Sequence, residues 1–343
     1  MASAALSSGR LTRARLTTGL LLTAALAAVA MLGGLMVGAV PLELAAILDG
    51  TGTDRIIFSK VRAPRVLLAA IVGAALAGSG AALQPTLRNP LASPDIIGVS
   101  GGAALAAVAS LAFLPIARAG IVVVPLIALA GAAGASALVY RLSLVRGRLE
   151  PYTQILVGVI FNTFAASLIL LISAVVDLSR SQSIVFWLMG GIAVHPYPVL
   201  LVVAALVAVG AAVLVREAPS LNLLALGDET AEHLGVDLEA SRRRVFAASS
   251  MLVGAVVSLT GIITFVGLIV PHLLRRILGS DNRLLVPAAF FGGATFLVAC
   301  DALARWLVAP AELPVGAITA MTGGPFFIYL LRRRAHSGSD GEL

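Results

Sequence analysis

The chain has 343 residues, 59% hydrophobic and 12% charged, with a mean hydropathy of +1.02. Too few polar residues remain to coat a water-soluble fold, so soluble enzyme, nucleic-acid binder and disordered chain are poor fits and the class is a polytopic all-α membrane protein. The net charge of +7, from 24 basic and 17 acidic residues, then reads as a topology signal rather than as a nucleic-acid footprint.

Ten apolar segments are long enough, allowing for Gly and Pro breaks, to be membrane helices. They are 16–40, 66–84, 96–114, 120–140, 152–176, 197–215, 244–263, 266–279, 284–307 and 314–331, with a short extra helix at 183–190. The whole chain, 1–343, reads as one transmembrane domain with a cytoplasmic loop at about 216–243. Arg10, Arg13 and Arg15 precede the first segment, whose length of about 25 residues exceeds a signal-peptide core. The even count puts both termini on one side. That side collects 17 cations and the other, with Arg55, Lys60, Arg62, Arg65, Arg118, Arg180 and Arg305, collects 7, which places both termini in the cytoplasm. Glycines cluster inside the segments, as at Gly73, Gly78 and Gly80, Gly101 and Gly102, Gly131 and Gly134, and Gly292 and Gly293, and predict close helix packing.

Five stretches carry more than topology. Arg62-Ala63-Pro64-Arg65 sets two cations at the mouth of the second span, where a helix N-terminus disfavours them; lipid phosphate or a docking protein's carboxylates would satisfy them. The loop from Gln84 to Asp95 holds Pro85, Pro90 and Pro94 and runs into the Gly-rich start of the third span. Such irregular backbone beside a membrane suits a pore constriction. The stretch Ser220 to Arg244 has an apolar run ended by Gly227 and a helix start at Asp228 stopped by Gly235, which predicts two short helices joined at a glycine. They either pack on their own spans or dock a cytoplasmic protein. The last two stretches are Gly261 to His272 and Ala311 to Phe327. Asp177 and Asp301 fall near span ends and read as solvated or paired carboxylates. Cys300, the one cysteine, excludes an intrachain disulfide and a cysteine zinc cluster. The sequence has no phosphate-binding loop and no HExxH, and its four histidines are scattered, so neither a catalytic constellation nor a metal site is expected.

Together these stretches resemble the FecCD-type permeases, the membrane subunits of bacterial ABC importers for vitamin B12, haem and ferric siderophores. The resemblance runs from about residue 60 to 331 and is carried by RAPR, RNPLASPDIIGVSGGAAL, LGDETAEHLGV, FVGLIVPH and AELPVGAITAMTGGPFF. It implies a ten-span type II importer permease working as a homodimer in the bacterial inner membrane, with two cytoplasmic ATPase subunits and one periplasmic binding protein. Cofactors are expected only as ATP and Mg on those ATPase subunits. The resemblance implies that Arg62, Arg65 and Arg305 meet acidic residues of the binding protein. It assigns Leu226, Gly227, Asp228, Glu229, Thr230, Ala231, Leu234 and Gly235 to the segment the ATPase grips. Asn89 and Leu91 look like one part of a cytoplasmic gate; Glu150, Pro151, Tyr152 and Thr153 look like the other, although EPYT is bulkier than the small polar residues expected there. Asn162, Ser167, Ser173, Trp187 and Met189 are chosen as pathway residues by facing. Haem is the first substrate choice, ferric siderophore the next and cobalamin the third, with His195 and Met189 as candidate contacts to haem iron. A stand-alone secondary transporter is the competing class.

Overall fold

A computed structural model describes residues 11–38, 52–115 and 122–339. Arg10 and Arg118, and the expected span ends at 39–40 and 120–121, lie outside the described residues. Among the described residues the regular structure is helical apart from a two-strand hairpin. Helix α1 is Arg13–Met36; Thr53–Ile57 runs through a π-turn at Phe58–Arg62 into α2, Ala63–Thr86; α3 is Val99–Phe113 and α4 Val123–Leu142. Strands β1 (Leu144–Val145) and β2 (Arg148–Leu149) pair antiparallel, Leu144 opposite Leu149. Helices α5 (Pro151–Val175), α6 (Leu178–Leu188), α7 (Tyr197–Leu224), α8 (Asp228–His233), α9 (Leu238–Thr260), α10 (Val266–Leu278), α11 (Asn282–Trp306) and α12 (Val315–Ser339) follow. Among the described residues, seven helices are long and apolar enough to cross a membrane; α3, α10 and the apolar part of α12 are shorter. Each of the ten expected segments is nevertheless a helix.

Helix α2 is the axis of the molecule and packs against α7, α9, α10 and α11. Its sequence explains why. Alanine and glycine lie on all its sides, so neighbouring backbones come close, and 20 of its 24 residues are buried against 5 of 25 in α5 and 4 of 24 in α1. A Cβ added at Gly73 would stand 2.1 Å from the carbonyl oxygen of Gly293, and one at Gly80 would stand 1.8 Å from that of Gly267. Small residues at helix crossings permit this approach. The outer faces of α1, α5 and α7 instead expose Leu22, Leu26, Ile160, Leu171 and Leu201, as lipid-facing helices do.

One expectation changes. The stretch 220–244 is not a loop of two short helices. Helix α7 continues to Leu224 and takes up Leu221 and Leu223, α9 begins at Leu238, and only α8 stands between them. The polar extension holds because its charges satisfy one another. Glu217 receives Arg244 Nε at 2.6 Å and Ser241 Oγ at 2.7 Å, so neither helix needs to end where hydrophobicity does. Helix α8 starts at Asp228 as expected, with Gly227 as its cap at φ 114°, which leaves the carboxylate for other partners.

At the chain-reversal ends shared by α7 and α11, Asp281 caps α11, accepts from Asn222 Nδ2 at 2.8 Å and pairs with Arg283 at 2.6 Å. The Arg283 hydrogen bonds hold its carboxyl at about 2, against a partial desolvation that acts the other way. A depressed folded-state value contributes stability above the ordinary 3.8, lost as pH falls toward 2. Asp281→Asn is therefore expected to lower the melting midpoint in detergent at pH 7, with the gap to the parent closing as pH drops from 4 toward 2. Gly73→Val is expected to cost about 1–3 kcal/mol or more through overpacking, seen as a lower midpoint. Gly134→Ala, where a Cβ meets nothing within 4 Å, is expected to leave the midpoint unchanged.

Candidate functional site

Polar side chains gather at the two ends of the bundle. At one end, α1 finishes beside the start of α2 and the finish of α11. Terminal carbonyls of a helix lack partners and favour cations, and arginines supply them. Arg62 Nη1 donates to the carbonyls of Leu35 and Met36 at 3.0 and 2.9 Å. Arg305 Nη2 donates to Gly34 at 3.0 Å and its Nη1 to Val37. Asp301, with no exposed surface, sits between Arg65 Nε and Arg305 Nε, each at 3.0 Å. Arg65 also donates to Glu312, half exposed, at 2.6 Å.

The sequence placed Arg62, Arg65 and Arg305 on the outer side of the membrane. The structure buries them to 4%, 8% and 4% exposure. The reason is a partner far away in sequence: the buried Asp301 carboxylate is stable only beside cations, and α1 needs donors for its last turn. Asp301 thus matches the paired reading made for it, and Asp177 is an exposed cap of α6 that accepts from Arg180 N at 3.0 Å.

Beside this network lies a cleft of about 550 Å³ lined by Arg65, Ser183, Phe186, Trp187, Gly191 and Glu312. Trp187 is the one predicted pathway residue that lines it. Met189 is exposed, and its carbonyl packs on Gly316, 2.2 Å from where a Cβ would be. Gly190 and Gly261, both at positive φ, complete this junction with Ile262 O and Trp187 O within 2.0 Å of their absent Cβ atoms. It joins the GIITF and AELPVG stretches to the turn after α6, an assembly not read from sequence. His195 is buried and lines a separate apolar pocket of about 300 Å³ with Leu126, Leu206 and Leu259, so the two candidate iron contacts are not brought into one cavity. Ser167 and Ser173 on α5 bond the carbonyls of Thr163 and Ile169 in their own helix.

At the other end, Glu150 caps α5 by accepting from the N–H of Tyr152 and Thr153, with Pro151 in the first turn. Burial alone would raise its carboxyl, but the Thr153 and Tyr152 hydrogen bonds and the charge of Arg242 hold it below the ordinary value. Leu91 is exposed at the tip of its loop and its N–H bonds Asn89 Oδ1 at 2.9 Å. That loop ends in a 3₁₀ turn, Pro94–Ile97, which lies on α5: a Cβ at Gly158 would stand 1.7 Å from Ile96 O, and Asn162 Nδ2 donates to Asp95 O at 2.7 Å. Asn162 therefore ties the proline-rich loop to the helix that Glu150 opens. The predicted coupling segment is α8 with its flanks. Leu226 and Leu234 are exposed, Ala231 is buried, and Gly235 ends the helix at φ 85°; Glu229 faces solvent and Thr230 O accepts from Leu234 N at 3.1 Å. No group of three His, Cys, Asp or Glu among the described residues is placed to hold a metal. Asp301→Leu is expected to cost about 3–5 kcal/mol, because two buried cations lose their anion, and to lower the melting midpoint accordingly.

The model of the FecCD transport family matches residues 25–333. The haemin transport system permease HmuU of Yersinia pestis is 36% identical over 313 residues, 88% of this chain and 92% of that one. The cobalamin import permease BtuC of Halobacterium salinarum is 41% identical over 283 residues, 82% and 75% of the two chains. The iron(3+)-citrate import permease YfmD of Bacillus subtilis is 37% identical over 293 residues, 85% and 86%. A solved chain of a metal-chelate type ABC transporter in an inward-facing conformation superimposes with a TM-score of 0.81 at 31% identity, covering 92% of this chain and 99% of that one. The chain belongs to the FecCD transport family.

Proposed function

We propose that this chain is the transmembrane permease subunit of an ATP-driven importer that moves a metal chelate across the bacterial inner membrane by alternating access. It works as a homodimer with two cytoplasmic ATPase subunits and one periplasmic binding protein. ATP and Mg are held by the ATPase subunits, and this chain carries no cofactor and no catalytic residue. Both termini are cytoplasmic, which puts the Asp301 network outside and α8 inside.

The observation that carries the reading is the placing of α8. It lies between the end of α7 and the start of α9, with Leu226 and Leu234 exposed on either side of it, at the end that also carries both loops read as the gate. A partner there gains apolar contact and a handle on the pathway. Helix α5, whose exposed face mixes Thr163 and Ser167 with Ile160 and Phe164, suits the wall of a pathway shared between two copies better than lipid alone. At the outer end the docking face is built on Arg62, Arg65 and Arg305. Arg62 and Arg305 hold the end of α1 in place, and Arg65 is the group that an incoming carboxylate reaches, in competition with Glu312.

Relatives named for haem, cobalamin and ferric citrate have similar identities. Haem is proposed first and ferric siderophore second, because the haemin relative is matched over 92% of its length and the exposed Met189 thioether, a soft iron ligand, lies two residues from Trp187 at the cleft. The test is ATP hydrolysis by the reconstituted complex, titrated with binding protein loaded with haem, a ferric siderophore or cobalamin. Stimulation by the haem-loaded protein is expected. Arg65→Glu, checked for an intact melting transition, is expected to abolish it; Glu312→Gln is expected to raise the apparent affinity for the binding protein severalfold. Stimulation unchanged in Arg65→Glu would refute the docking face, and stimulation by another cargo alone would refute the substrate order.

A further inference from the structure

The coupling segment packs Ala231 into the core and reaches two distant parts of the chain through one carboxylate. Asp228 opens α8, and its two oxygens have different partners. Oδ1 receives Arg242 Nη2 at 2.6 Å; Oδ2 lies 3.5 Å from Arg88 Nη2. Each arginine leads to a different gate part. Arg88 immediately precedes Asn89 in the proline-rich loop and sits at φ 49°, a left-handed conformation that a non-glycine residue rarely adopts and that sets the direction in which the loop leaves α2. Arg242, on α9, is nearly buried and sends Nη1 to the carbonyl of Leu149 at 3.3 Å. The N–H of that same Leu149 donates to Glu239 Oε2 at 2.8 Å. Leu149 is thus held on both sides by α9, and the next residue is Glu150, the cap of α5.

The two links differ in strength. The Arg242 link is short and mostly shielded from water, and charge-assisted bonds of that length are strong. The Arg88 link is longer and joins two partly exposed side chains, the kind of pair that forms and breaks readily. A polar cleft of about 490 Å³, lined by Glu150, Asp228, Glu229, Glu232, Glu239 and Arg242, separates α8 from the β1–β2 hairpin. Across that space, displacement of α8 reaches the hairpin through a side chain rather than through close packing.

Resting on the transporter reading above, we propose that Arg88 and Arg242 are positioning residues that divide the movement of α8 between the two gate parts: Arg242 holds α8 to the loop that opens α5, and Arg88 makes and breaks its bond to Asp228 as the proline-rich loop moves. The assignment goes to Arg88 and Arg242 because each touches Asp228 on one side and a different gate part on the other.

The test uses the full complex with its ATPase subunits in lipid nanodiscs. Cys300 is the only cysteine, so Cys300→Ala gives a background in which Leu91→Cys and Tyr152→Cys, both at exposed positions, each report by maleimide labelling rate with and without Mg-ATP. ATP is expected to change the rate at both positions. Arg88→Gln is expected to shrink the change at position 91 by a factor of about five while sparing position 152, the loss of one exposed ion pair. Arg242→Gln, checked by its melting transition, is expected to shrink the change at 152; Arg242→Lys keeps the charge beside Asp228 and is expected to restore part of it. ATPase subunits are expected to co-purify with every variant. Full responses at both positions in Arg88→Gln and Arg242→Gln would overturn the inference, as would loss of both responses together with loss of the ATPase subunits, which marks a docking role only. No ATP response in the unsubstituted complex would overturn the transporter reading and this inference with it.

Discussion

The structure depends on a helix thin enough to be surrounded. Helix α2 has glycine where α10 and α11 cross it, and the carbonyl oxygens of Gly267 and Gly293 occupy the space that side chains would fill. Close backbone approach of this kind replaces the hydrophobic driving force that lipid does not supply. It also fixes the relative height of α2, α10 and α11, and so decides which polar groups meet at either end. Arg65 can reach Asp301, 236 positions later in sequence, only because α2 and α11 are in register. Arg275 can bond Gln84 at 2.9 Å only because α10 lies on α2.

The two ends built on this axis differ in chemistry. At one, Asp301 is sealed between two arginines, and the same arginines finish α1. An ion cluster so enclosed costs several kcal/mol to break and acts as a fastening. At the other, Asp228 is about one-third exposed and shares its oxygens between a shielded arginine and an exposed one. That arrangement is cheap to rearrange. A fastened end and a rearrangeable end suit a molecule that alternates between two packings rather than one that deforms continuously.

Much of this was legible in the sequence where hydrophobic length decides the outcome. Segment 152–176 is helix Pro151–Val175 and segment 284–307 is Asn282–Trp306. Clustered glycines announced the crossings at Gly73, Gly80 and Gly293, although Gly134 meets nothing. Legibility failed where a polar group is satisfied by a distant one. Helix α7 outruns its apolar stretch because Glu217 meets Arg244 and Ser241. The burial of Arg62, Arg65 and Arg305 was not legible, because the carbonyls of α1 and the Asp301 carboxylate that claim them are mostly distant in sequence. The i, i+4 spacing of Asp301 and Arg305 was the available signal. The LGDETAEHLGV motif located α8 and RNPLASP contains Arg88, yet neither shows that Arg88 and Arg242 share the Asp228 carboxylate.

The central claim is that movement of α8, driven by a separate ATPase, powers transport, in place of ion coupling within the membrane. Uptake of the cargo delivered by the cognate binding protein into proteoliposomes tests it most directly, with ATP supplied on the α8 side and ionophores collapsing every gradient. The account predicts accumulation that requires the ATPase subunits and ATP and is indifferent to the ionophores. Ionophore-sensitive uptake by this chain without ATPase subunits would contradict it.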